Sequence, residues 1–384
     1  MNLAFKDIRF NLLRFLLTAL GVAFLMMSSM GMVGLYRGIV ADALLIIERI
    51  GADQWVVQGG RQGPFSEGSA ISSTMDRRVE GIAGVASARR FVQFSQQFSL
   101  HGRQLRASVT GLDFPKDPGR WIPIVGGRLL ASGHYEAVAD MSIGLRLGEK
   151  VHLGQDDYTV VGLTRGMVDT GGDGLLFVTV NDAVAIAQRR TSEEVLLARA
   201  GAGPAAASRS SVPQDSKIAA VLVTLNPAVD PEMVRRAVSS WGDVNVLSRA
   251  EQENLLLNQR LWRLRVQILA FTGVLLVVTG IVVSLIIYML TMENLHEIAM
   301  LKLIGADNLV IIVMIAQQAF LIGACGLGFG LMLSRLVFPF FPRKVLILPA
   351  DVALLGIAVA VICAFASLLG ISRALKVRAQ EVLS

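Results

Sequence analysis

The sequence is poor in charge. Of its 384 residues 17% are Asp, Glu, Lys or Arg, while 53% are hydrophobic. A soluble chain carries about 25% charged residues, so the deficit points to segments lying in lipid. Cysteine is scarcer still. Cys325 and Cys363 both fall in apolar runs, which leaves the rest of the chain without a disulfide in any compartment. They read as small buried thiols, with a bridge between them as the alternative. His101, His134, His152 and His296 are scattered, with no H-E-x-x-H and no Cys/His set at metal-ligand spacing. No G-x-x-x-x-G-K-[ST] loop is present, which excludes Walker-type cradling of a nucleoside triphosphate, and no G-x-S-x-G elbow is present either. Asp169 to Gly174 lacks the further acceptors of a calcium loop and reads as a tight polar turn, and Asp156-Asp157 reads as an exposed hairpin turn. The net charge of +6 is dispersed, without the basic, aromatic-rich blocks of a nucleic-acid groove, so no nucleic-acid partner is expected.

What is there is four long apolar runs, residues 15–36, 266–292, 309–334 and 352–372. About twenty residues at 1.5 Å rise cross the roughly 30 Å hydrocarbon core, so each is expected to span a membrane. Residues 1–14 place Phe5, Ile8 and Leu12 on one helical face and Asp7, Asn11 and Arg14 opposite, as an interfacial helix would. Lys6, Arg9 and Arg14 outweigh Arg37, and Arg373, Lys376 and Arg378 outweigh Arg343 and Lys344. Both comparisons favour cytoplasmic termini, although Arg260, Arg263 and Arg265 weigh the other way. On that orientation residues 37–265 lie outside the cytoplasm, 293–308 form an inner segment, 335–351 an outer loop and 373–384 an inner tail. Small residues recur at packing spacing. Gly326 and Gly330 form a GxxxG pair, and Gly356, Ala360 and Ala364 repeat every four residues, which suits helix–helix packing or a dimer seam. Gln317 and Gln318, polar inside the third run, are expected to bond a neighbouring helix.

Residues 37–265 have soluble composition. Helical spacing continues through Tyr36 to Ile50 and returns over Ala250 to Arg265, so a helical stalk is expected at each end. Between them Gln54–Gln58, Phe91–Leu100, Ala107–Thr110, Tyr158–Val161, Leu175–Val180 and Ala220–Leu225 read as strands. Asn181–Arg190 and Pro231–Trp241 read as helices, the latter behind an Asp-Pro start. Gly59 to Ser73 reads as a Gly/Ser-rich loop. Residues 200–216, with Gly-Pro, an Ala run and serines, read as a linker dividing a larger first part from a small second lobe. The expected class is a membrane protein with four transmembrane α-helices plus an α+β extracytoplasmic domain.

Residues Glu293 to Ala306 read E-N-L-H-E-I-A-M-L-K-L-I-G-A. This resembles the cytoplasmic segment of MacB/FtsX-type ABC transporter permeases, approximately E-R-x-R-E-I-G-x-L-K-A-I-G-A, with Asn294 and His296 in place of the usual basic residues. His296, Glu297, Ala299, Leu301, Lys302, Gly305 and Gln317-Gln318 lean towards the DevC branch. The tail Arg373 to Leu383 is similar to the family's basic run ending P-x-E-A-L, with Ala379 where Pro is usual. Gly127-Arg128-Leu129, Glu136 to Asp140, Leu147-Gly148 and Tyr158 to Gly162 resemble its MacB-like periplasmic core. The resemblance implies a non-catalytic permease subunit of the bacterial inner membrane. A separate cytoplasmic ABC ATPase would hold the ATP and Mg, and this chain would need no cofactor of its own. Glu293, His296, Glu297, Leu301, Lys302, Ile304 and Gly305 would carry the coupling to it. It further implies a second permease copy, identical or not. A periplasmic adaptor and an outer-membrane channel are candidate partners, alongside membrane lipid. The implied activity is export of a lipid, lipoprotein or other hydrophobic cargo. The alternatives are an FtsX-like regulator of a cell-wall hydrolase and a LolC/LolE-like lipoprotein-releasing permease.

Overall fold

The computed structural model describes residues 12–188, 216–294, 296, 298–300, 304, 307–341 and 343–376. The proposed interfacial helix up to Asn11, nearly all of the linker and the tail from residue 377 lie outside these. The chain divides into two compact units, Met1–Ile39 with Arg263–Ser384, and Val40–Trp262.

In chain order, helix α1 (Leu12–Arg49) precedes strand β1 (Gln54–Gln58), the two-residue β2 (Ile71–Ser72) and α2 (Met75–Glu80). Strands β3 (Val85–Leu100), β4 (Arg103–Leu112), β5 (Ile124–Gly127), β6 (Glu136–Asp140), β7 (Lys150–Leu153), β8 (Asp156–Thr164) and β9 (Leu175–Thr179) follow, then α3 (Val180–Gln188). After the linker come β10 (Lys217–Ile218), β11 (Ala220–Leu225), α4 (Pro231–Ser239), β12 (Val244–Ser248) and α5 (Arg249–Leu255). A π-helical turn, Leu256–Arg260, leads to α6 (Trp262–Glu293), α7 (Asn308–Val337) and α8 (Pro349–Lys376). Local chemistry sets several ends. Helix α1 stops before Gly51, whose φ of +67° suits glycine. Helix α4 starts at Pro231 behind Asp230, whose side chain accepts from Glu232 N. Helix α5 opens on a reciprocal capping box between Ser248 and Glu251.

The Val40–Trp262 unit is built on one mixed sheet in the order β12-β1-β11-β3-β4-β9-β6-β8-β5, with β7 also on β8. Strand β3 joins its halves. Residues Val85 to Phe91 pair with β11, and Val92 to Leu100 pair with β4. Val56, Val79, Val221, Val223, Val234 and Val246 are buried in the core, as are Val109, Val178, Ala183 and Ile186. This corrects the expected division at the linker. Strand β11 follows the linker yet lies between β1 and β3, so each side of the linker contributes strands to the same half-sheet. The physical reason is that β1 and β3 would each leave a ladder edge unpaired without β11. The Asp169–Gly174 segment is a tight turn: Asp173 N donates to Asp169 Oδ1 at 2.9 Å and Gly172 N to Asp169 O at 3.0 Å.

In the other unit, the helices α1, α6, α7 and α8 are all long and apolar enough to cross a membrane. Their shared core includes Val22, Met26, Val283, Ile287, Ile311, Ile315, Ile322, Val359 and Cys363. Among the four, α6 is the least covered. Cys325 and Cys363 are free thiols, the first half-buried and the second buried.

Candidate functional site

The segment between α6 and α7 is held by helical hydrogen bonds where it is described. Asn294 N donates to Leu290 O at 3.1 Å, Ile298 N to Asn294 O at 3.0 Å, and Ile304 N to Met300 O at 3.1 Å. Ile298 and Ala299 are each 1% exposed, with Ile298 in the helix core alongside Ile287, Ile311 and Ile315. Glu293, His296, Met300 and Ile304 are exposed, and Ile304 reaches 83%. Their offsets of three, four and four residues are those of one helical face. One face therefore anchors the segment and the other presents a carboxylate, an imidazole and two apolar side chains. Glu297, Leu301, Lys302 and Gly305 lie outside the described residues.

The small residues of the spans separate into two groups. A Cβ at Gly326 would stand 2.5 Å from Val22 Cγ1, and one at Gly330 would stand 3.0 Å from Ala23 O and 3.1 Å from Met26 Cβ. The GxxxG pair is thus filled by α1 of the same chain. Gly356 meets only Leu327, at an ordinary 3.6 Å. Gly356 and Ala360 are half-buried and Ala364 is exposed, so this stripe runs beside the buried line Leu355, Val359, Cys363 and Ala366. Two close approaches were not read from the sequence. Gly323 lies against Cys363 Sγ, and Gly370 against Ile287 and Thr291. No spacing marked Gly323 or Gly370, because each pairs with a side chain on another helix. Gln318 is buried and Gln317 is exposed, because adjacent positions on a helix face differently.

At one end of this unit Arg37 clasps Asp351 in a two-pronged pair, Nε–Oδ2 2.5 Å and Nη2–Oδ1 2.6 Å. The α7–α8 connection lies along the glycines of α1. Leu346 N donates to Gly34 O at 2.9 Å, and a Cβ at Gly38 would sit 1.8 Å from the Lys344 carbonyl oxygen. Arg37 enters the sequence reading only in the charge balance across the first run, and nothing local marks Asp351 as its partner.

In the α+β unit, the segments flagged by resemblance converge. Arg128 pairs with Glu136 at 2.5 Å, and Ala131 N and Ser132 N also donate to that carboxylate. These bonds, the guanidinium foremost, hold the Glu136 pKa down at about 2. Gly127 pairs with Gly162, and a Cβ at Gly162 would stand 2.2 Å from Arg128 O. Gly148 N donates to Val160 O at 2.7 Å. The cluster ties β5 and β6 to β8, so its residues are structural. Among the described residues no three His, Cys, Asp or Glu side chains gather as a metal site.

Two family models match the chain: the MacB-like periplasmic core domain over residues 15–240 and the FtsX-like permease C-terminal domain over 269–379. An uncharacterized ABC transporter permease of Mycobacterium tuberculosis is 24% identical over 374 residues, 97% of this chain and 96% of the relative. A permease of Staphylococcus epidermidis named for a hemin transport system, HrtB, is 21% identical over 353 residues, 89% of this chain and 87% of the relative. The periplasmic region of MacB from Actinobacillus actinomycetemcomitans aligns with a TM-score of 0.37 at 13% identity, covering 56% of this chain and 96% of that structure.

Proposed function

The chain belongs to the MacB/FtsX-type ABC transporter permeases, and from that premise we propose that it couples ATP hydrolysis by a separate ATPase to movement of its α+β unit, exporting an apolar or amphiphilic cargo. The observation that carries the reading is the two-faced inner segment. An isoleucine 83% exposed beside Glu293, His296 and Met300 is a surface that a partner would cover, and Ile298 and Ala299 root that surface in the helix core. A push on the outer face then reaches α6 and α7 through packed side chains, which is the physical requirement for a lever. ATP and Mg belong to the partner, a second permease copy completes the assembly, and the termini are cytoplasmic. The cargo class is favoured by an apolar groove of about 900 Å³ between α6 and α8, lined by Leu276, Val277, Ile281, Tyr288, Val361 and Phe365. Likeness to HrtB makes hemin the first cargo to assay.

Co-purification of a tagged ATPase tests the coupling. Ile304→Asp and Glu297→Lys should each weaken its recruitment by about 2–5 kcal/mol, as expected for an unpaired charge at a docking surface. Lys150→Glu, exposed on the α+β unit, should leave recruitment unchanged. Wild-type recruitment and ATPase stimulation by both inner variants would reduce the segment to a connector.

A further inference from the structure

We propose that the α7–α8 connection forms a binding site for the phosphate-bearing headgroup of an anionic lipid. The end of α7, the 3-10 turn Phe338–Phe340 and residues Phe341 and Arg343 to Ile347 line an open pocket of about 450 Å³. Its wall includes Ser334, Arg335, Phe338, Phe341, Arg343 and Lys344, three cations among apolar rings, and among the described residues no carboxylate lines it. The acid that follows in sequence, Asp351, is committed to Arg37 and also accepts from Leu348 N. The pair keeps Asp351 from neutralising the pocket.

The wall is held in place by its backing. Phe338 lies against Gly31, Val345 against Gly34, and the Lys344 carbonyl against Gly38, where no side chain would fit. Leu346 N adds its bond to Gly34 O, and Phe338 meets Phe341 edge-on at 5.7 Å. A site that is already formed loses little entropy on binding.

Chemistry selects the ligand. A guanidinium fork and an ammonium match phosphate oxygens. A free phosphate ion would gain nothing from the phenyl rings, whereas a lipid places its glycerol and first methylenes there. The location agrees, because Leu336 and Phe340 stand 67% and 86% exposed at the end of a membrane-crossing helix, where apolar side chains and cations meet the headgroup layer. The inference needs only that the four helices lie in a bilayer, and it is independent of any ATPase.

The test is native mass spectrometry of the full chain, purified with phosphatidylglycerol or phosphatidylcholine of equal chain length. Phosphatidylglycerol should be retained preferentially. Removing two cations in Arg335→Gln/Lys344→Gln should lower its retention about 30-fold, at roughly 5-fold per cation near an anionic headgroup. Arg335→Lys/Lys344→Arg, which keeps the charge and tests for simple misfolding, should retain it. Arg263→Gln/Arg265→Gln, at the start of α6 and outside the pocket, should also retain it. Equal retention of the two lipids, unchanged retention in the double Gln variant, or equal loss in the Arg263/Arg265 variant would overturn the site. Displacement of the lipid by millimolar inorganic phosphate would overturn the lipid assignment in favour of the free anion.

Discussion

Among the described residues every glycine with positive φ lies between Gly51 and Gly242, in the α+β unit, while Gly323, Gly326, Gly330 and Gly370 of the helical unit sit inside helices against a neighbouring helix. The same residue serves two needs. In water a sheet must turn tightly between strands, and glycine reaches backbone angles that other residues reach only at a cost. In lipid no hydrophobic gradient drives helices together, so close backbone approach supplies the attraction, and the absent Cβ permits it. Polar contacts divide similarly. The α+β unit carries Arg89–Asp117, Arg90–Asp113, Arg128–Glu136 and Arg235–Glu251, whereas among the described residues the helical unit shows the Arg37–Asp351 pair, at its end.

The comparison breaks most readily at Gly330. Leucine there would drive its side chain into Ala23 O and Met26. The expected loss is about 3 kcal/mol, with α7 displaced from α1. Gly144→Ala in the α+β unit is the counterpart: its added Cβ meets open space, but its φ is +86°, so only backbone strain of about 1 kcal/mol is expected. Thermal unfolding of the full chain in detergent, with a disulfide reporter between α1 and α7, measures both. Equal effects would show that glycine plays one role throughout.

A smaller effect belongs to Glu136. Its pKa is lowered from 4.5 to about 2, so its bonds contribute stability fully above pH 4.5 and lose it as the pH falls towards about 2. With the Arg128 side chain 52% exposed, screening reduces the contribution to about 2 kcal/mol at neutral pH. Protection against hydrogen exchange across residues 124–164, each rate taken relative to the intrinsic amide rate at the same pH, should therefore fall between pH 4.5 and 2.5 in the wild type. Glu136→Gln should exchange faster at neutral pH and show a flatter dependence. A wild-type profile identical to the variant's would remove the ion pair from the account.

The smallest effect is expected at Lys116–Glu80, 2.8 Å apart with both side chains about two-fifths exposed. Lys116→Ala should change stability by less than about 0.5 kcal/mol, read from the same thermal unfolding. A larger loss would mean that surface pairs, and not the sheet and its core, hold this unit.

Much of the α+β unit was readable because strand and helix signals are local. Trp55, Val56 and Val57 are β-rich and bounded by polar residues, and Asp230-Pro231 is a helix start wherever it occurs. Strands β5, β6, β7 and β12 were missed as strands because none of these short segments carries three consecutive β-branched or aromatic residues, as the equally short β1 does at Trp55-Val56-Val57 and β9 at Phe177-Val178-Thr179. The π-helical turn at Leu256–Arg260 was read as ordinary helix, since its apolar spacing is nearly the same. For residues Glu293 to Ala306, the mixture of charged and apolar positions was visible, but not that Ile298 and Ala299 would be buried while Ile304 stood exposed.

The sequence alone determined the four membrane-crossing helices and the mixed character of the inserted unit. Apolar run length and side-chain periodicity are properties of contiguous residues, and lipid or water acts on them directly. Only the tertiary structure decided that Gly326 and Gly330 receive α1 of the same chain and that β3 joins two half-sheets across the linker. Only it brought Arg37 to Asp351, 314 residues away. These depend on which surfaces meet once the chain closes its long loops, and many pairings share the same local pattern until packing selects one.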